Sequence, residues 1–130
     1  MEMFKYVLRE NTWLDRNIMD FGWGCGYVII PEGCILNGLD YNTINEWVDV
    51  HGGLTYSSSG DKSLGFGFDS SDIKDSDWVV GFDTSHSFNN LQHHDKRYVL
   101  SETRALQSQL YLLELKLQKE SEGYYEKHCK

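Results

Sequence analysis

WVVGFD, residues 78–83, is aromatic and β-branched and is bounded by polar residues, which makes it the clearest strand in the chain. A loop, Thr84–His94, carries three histidines out of it and leads to Asp95. Beyond Asp95, Val99, Leu106, Leu110, Leu113 and Leu117 recur at intervals of seven, four, three and four. That spacing puts all five on one face of a helix. Asp95 suits its N-cap and the positive end of its dipole, and Gly123 is expected to end it. A strand of this kind followed by one long amphipathic helix predicts an α+β domain. Its architecture would be a small antiparallel sheet of three to five strands, with the C-terminal helix packed across a face.

Working outward, residues 3–9 (MFKYVLR) fit either a strand or a helix start, and we read a strand. Trp13, Leu14, Ile18 and Phe21 make a weak helical pattern over Asn11–Phe21. Gly22, Gly24 and Gly26 interleave with Trp23, Cys25 and Tyr27 and pass into Val28–Ile30, a strand whose glycine half lets something large lie across it. PEGCILNGLDYN reads as a loop plugged by Ile35 and Leu36, and Tyr41–Val48 as one helical turn. A further strand is expected over Val48–Ser57, with an irregularity at His51-Gly52-Gly53. In the Ser-, Gly- and Asp-rich stretch 57–77, LGFGF alternates as a hairpin strand or a flap would.

The 130 residues make one expected domain, with a tail after about residue 122. Twenty acidic residues against 12 basic ones, a formal charge of −8, disfavour direct binding to a nucleic-acid backbone. Such a charge suits plain solubility, or a basic partner surface, including one that normally holds nucleic acid. No apolar run is long enough to span a membrane and MEMFKYVLRE lacks a signal-peptide pattern, so a cytoplasmic protein is expected. Three cysteines without metal-ligand spacing fit reduced thiols. Leu112 and Leu115 widen the helical stripe, which offers a surface for a homo-oligomer.

The candidate site centres on VDVHGGLTY, residues 48–56. His51 can donate, accept, bind a metal or move a proton, while Gly52 and Gly53 permit positive φ and close approach. If the strands on either side are neighbours, His51 converges with Asp83 and His86, whose spacing suits a carboxylate orienting an imidazole or two ligands of a metal. Ordinary hydrogen-bonded loop histidines are the plainer alternative. Cys25 or Ser85 activated by a histidine would be a nucleophile, although Cys25 equally suits a small buried position. Glu102, at the edge of the stripe, is an acceptor for a ligand amine or hydroxyl, or else a solvated surface residue. GWGCG and HGG do not open a helix in a βαβ unit and lack a following lysine, so no dinucleotide or P-loop cofactor is expected. What remains accepts a planar, anionic ligand such as a nucleotide derivative.

The words GCGYVIIP (residues 24–31), VHGGLTYS (50–57), WVVGFDTSH (78–86) and SETRALQSQL (101–110) resemble a family of short proteins encoded by phages and prophages. The resemblance spans about residues 22–110 and implies a phage accessory protein. It brings no established activity, so no catalytic role is carried over. In members of that family an acidic residue follows soon after the GFDxxH histidine, whereas here Ser87, Phe88, Asn89 and Asn90 occupy that stretch. The expected function is a non-enzymatic protein that counters host defence by holding a small nucleotide-like ligand, with His51, Gly52, Gly53, Thr55, Tyr56, Asp83, His86 and Glu102 at the site and neither metal nor cofactor. A small hydrolase or metal-dependent enzyme acting on such a ligand, or an acidic inhibitor of a host nucleic-acid-binding defence protein, are the alternatives.

Overall fold

The computed structural model describes residues 3–128, with side chains described as far as residue 122. Strands β1 (Lys5–Glu10), β2 (Gly24–Ile30), β3 (Tyr56–Ser59) and β4 (Trp78–Asp83) form one antiparallel sheet in the order β1-β2-β4-β3. Two short helices, α1 (Tyr41–Asn45) and α2 (Gly60–Gly65), lie in the connections, and the long α3 (Lys96–His128) packs on β1 and β2. This is the expected α+β architecture. Among the described residues no helix is long and apolar enough to cross a membrane.

Strand alternation sorts the side chains into two cores. Val28 and Ile30 of β2 and Val80 and Phe82 of β4 join Val99, Leu106 and Leu110 of α3, together with Ile44 of α1 and Leu36, Val50 and Leu54 from the loops. On the opposite face Ile29 and Val79 meet Phe68 and Ile73 from the α2–β4 connection, with Tyr27 and Tyr56 packed against them. Each such buried side chain contributes about 1.5–3 kcal/mol relative to exposure. Gly26 makes room for the helix and Gly81 for a ring of the neighbouring strand. A Cβ at Gly26 would stand 1.9 Å from Thr103 Oγ1 of α3, and one at Gly81 would stand 2.3 Å from the Tyr27 ring. What lies across the glycine half of β2 is therefore the chain's own helix.

Polar side chains of α3 hold the loops around it. Gln107 donates to the Phe4 carbonyl. Gln109 accepts the Asp49 N–H at 2.7 Å and donates to the Asp49 carbonyl at 2.8 Å. The fully buried Glu114 accepts the N–H groups of Ile35 and Leu36, both at 2.9 Å, and the Gln118 amide at 2.7 Å. The Glu114 bonds satisfy loop amides that would otherwise be buried without partners. At the start of the helix Asp95 caps as expected, its Oδ1 accepting from Tyr98 N at 2.9 Å.

Four local expectations are corrected. Asn11–Phe21 is a run of turns, not a helix: Asp15 accepts from Asn17 N, Arg16 donates to the Phe21 and Gly22 carbonyls, and Trp13 and Ile18 stay 64% and 78% exposed. With no core to cover, the apolar spacing has nothing to stabilise it. The strand expected over Val48–Ser57 begins only at Tyr56. Gly52 and Gly53 have φ of +67° and +78°, and Gly53 N bonds back to Val50 O, so the segment turns instead of extending. LGFGF is not a strand either. Residues 60–65 are helical, Gly67 (φ +98°) reverses the chain, and Phe68 tucks into the second core while Phe66 stays exposed. Finally, α3 continues through Gly123 to His128. One glycine costs a helix interior only about 1 kcal/mol. The side chains of the expected tail, like its last two residues, lie outside the described residues.

Candidate functional site

The turn at Gly52-Gly53 brings His51 over the first turns of α3. Its backbone N–H donates to Glu102 Oε1 at 2.9 Å. The ring is bonded at both nitrogens, to the Tyr98 hydroxyl at 2.7 Å through Nδ1 and to Asn89 Nδ2 at 2.9 Å through Nε2. The tautomer follows from one further bond. Asn89 Oδ1 accepts the His86 N–H at 3.0 Å, which turns the amide so that Nδ2 donates to His51. Nε2 is then an acceptor, and Nδ1 carries the proton donated to Tyr98. Asn89 is buried, and His94 sits beside the pair with its ring 4.8 Å from that of His51 and 4.9 Å from that of Tyr98. Burial, and then the proximity of His51, lower the His94 pKa. Burial and then the Glu102 charge raise that of Tyr98, which keeps the phenol protonated. His51 is thus a fully engaged member of a polar network, and the network leaves it no nitrogen for a metal.

Asp83, at the end of β4, is held from two sides. Its Oδ2 accepts the Thr55 hydroxyl at 2.9 Å and its Oδ1 the Ser85 N–H at 3.0 Å. His86 Nε2 lies 3.4 Å from Asp83 Oδ1, close enough for an ion pair when protonated but without hydrogen-bond geometry, and among the described residues no other partner reaches that buried nitrogen. Its ring stacks on Phe88 with centroids 5.6 Å apart, and Gly52 passes so close that a Cβ there would stand 3.1 Å from Nε2. Among the described residues no group of three or more His, Cys, Asp or Glu is arranged to hold a metal ion.

Next to Asp83, on the sheet face away from α3, opens a cavity of about 380 Å³. Cys25, Tyr27 and Asp83 contribute to its floor, Trp13, Tyr56 and Phe66 bring aromatic surface, and Arg9, Glu10, Thr55 and Ser85 bring polar groups. Tyr56 belongs here rather than with His51: its hydroxyl bonds Ser63 Oγ at 2.9 Å and its ring meets Tyr27 edge-on at 5.5 Å. Burial raises the Cys25 pKa, so the thiol at the cavity wall is protonated and a poor nucleophile. A second hollow, about 480 Å³, lies between β1 and the 70–77 segment and is lined by none of the residues singled out in the sequence.

The structure therefore brings His51, Gly52, Asp83, His86 and Glu102 into one neighbourhood, with Thr55 bonded to it through Asp83. Gly53 packs on Asn45, and Tyr56 turns to the other face. Sequence reasoning did not single out Asn89, Tyr98 and His94 as partners of His51, nor Arg9 and Trp13 at the cavity. Tyr98 and Glu102 are four residues apart on α3, and that spacing was the available signal that both would reach the same loop. No protein-family model matches the chain, nor does any curated protein or solved structure.

Proposed function

We propose that this chain is a non-enzymatic binding protein whose ligand is a small, planar, nucleotide-like molecule held in the cavity beside Asp83. The supporting observation is the make-up of that cavity. Aromatic faces from Trp13, Tyr27, Tyr56 and Phe66 surround the Thr55–Asp83 pair, the combination of apolar wall and few fixed polar groups that small-molecule sites use. Catalysis is disfavoured on physical grounds: His51 has both ring nitrogens engaged, and the Cys25 thiol is held protonated by burial.

On this reading the imidazole network packs beside Asp83, which the Thr55 hydroxyl and the Ser85 amide orient. In keeping with the resemblance of the sequence to phage-encoded proteins, the protein would act in a host cytoplasm, where sequestering a signalling nucleotide would blunt a defence response. Leu112, 65% exposed on α3, and Leu115 beside it provide an apolar surface for self-association in the same reading.

Titration with a panel of nucleosides, nucleotides and cyclic nucleotides, followed by Trp fluorescence and by calorimetry, tests the proposal. Saturable binding that Asp83→Ala abolishes while the fold is kept supports it, and absence of binding across the panel overturns it. Mass spectrometry of the recovered ligand separates holding from turnover.

A further inference from the structure

The cavity floor has a direction. In the sheet register Arg9 of β1 pairs with Cys25 of β2, and Cys25 pairs with Asp83 of β4, so the three residues form one row across adjacent strands. Side chains of directly paired residues share a sheet face, and all three line the cavity. With strands about 4.8 Å apart, the backbone positions of Arg9 and Asp83 lie about 10 Å from each other. A guanidinium therefore stands at one end of the row and a carboxylate at the other, with the Cys25 thiol between them.

Both ends are fixed. The Arg9 guanidinium lies 4.6 Å above the Phe68 ring, which holds it by cation–π attraction. Asp83 is oriented by the Thr55 hydroxyl and the Ser85 amide. A carboxylate that accepts one bond at each oxygen retains lone pairs for further donors. One guanidinium and one carboxylate thus bound the row. With a single positive group there and the Asp83 charge at the other end, a single anionic group is best placed at the Arg9 end and a multiply charged one is less well matched.

Resting on the proposed binding function, we infer that the ligand is a heteroaromatic base with an exocyclic amino group, which donates to Asp83, and that it carries at most one phosphate, directed to Arg9. Adenosine monophosphate, inosine monophosphate, adenosine and adenosine triphosphate are the probes, titrated against the intact chain. Replacing the amino group by a carbonyl sets oxygen against the Asp83 carboxylate and removes the exocyclic donor, the nearest remaining one being the ring N1–H. AMP is accordingly expected to bind about tenfold or more tighter than IMP, and tighter than both adenosine and ATP. Arg9→Gln is expected to bring AMP down to the affinity of adenosine, and Asp83→Asn to remove the preference for AMP over IMP, with thermal melts showing that both variants fold. Equal affinity for AMP and IMP in the unmodified protein overturns this inference while leaving nucleotide binding intact. Binding of none of the four overturns it, and failure across the wider panel overturns the binding function as well.

Discussion

Glu102 on α3 accepts the backbone N–H of His51 at 2.9 Å, so a helix carboxylate, not a sheet ladder, sets the height of the Gly52-Gly53 turn. Removing it leaves a part-buried amide without an acceptor. Glu102→Ala is expected to cost about 1–3 kcal/mol in urea unfolding, whereas Glu102→Gln, whose amide oxygen still accepts, loses less. If the two variants lose equally, the bond to His51 is not what Glu102 contributes.

Glu114 anchors the 31–39 loop from the middle of the same helix, fully buried and accepting two backbone amides. Truncation to Ala strips both donors of their partner and opens a void. A loss of about 3–5 kcal/mol is expected, with hydrogen exchange at Ile35 and Leu36 accelerating before that of the strands. Uniform acceleration throughout the chain would contradict a local anchoring role.

Glycines in two parts of the fold differ in how they treat added volume. Gly81→Ala drives a methyl into the Tyr27 ring at 2.3 Å and the Gly26 carbonyl at 2.6 Å, and a destabilisation of about 1–3 kcal/mol or more is expected from overpacking. Gly65, at the end of α2, has open space where a methyl would go, with nothing within 4 Å. There the same substitution is expected to be neutral or to stabilise by about 0.5–1 kcal/mol through the unfolded chain. Paired thermal melts decide it, and a reversed order of Tm values would refute the packing assigned to Gly81.

His94 carries a pH dependence. Its pKa in the folded chain lies below the ordinary 6.5, first through burial and then through His51. The unfolded chain therefore binds the proton more readily, and stability falls as the pH drops below about 6.5 and is recovered above it. Denaturation midpoints measured from pH 5 to pH 8 should rise across that window, and His94→Gln should flatten the rise. An unchanged slope in the variant would assign the dependence to other groups.

Much of the fold was legible because WVVGFD and the Val99–Leu117 spacing each carry an unambiguous period. Val48–Ser57 misled because Val50 and Leu54 are buried beneath the helix as loop plugs, so apolar spacing there reflects a tertiary contact and not a strand. His86 lies between the other two expected partners, 3.4 Å from Asp83 and linked to His51 through Asn89, since a strand end and a glycine turn both bring chain to the same edge. Arg9 could not be connected with Asp83 from the sequence: 74 positions separate them, and only the β1-β2-β4 register sets them in one row. Glu114 was equally hidden, because a carboxylate within an apolar stripe shows its loop amides only once the loop is folded over it.

Because α3 follows every strand in the chain yet supplies the acceptors and donors for the loops at Phe4, Asp49, His51 and Ile35, the sheet emerges from a ribosome before the element that finishes it. The strands then wait with their helix-facing side uncovered until the 33-residue α3 has emerged from the tunnel. Nascent chains arrested before Lys96 should therefore be protease-sensitive and chaperone-bound, and release of the helix should convert them to the resistant form in a single late step.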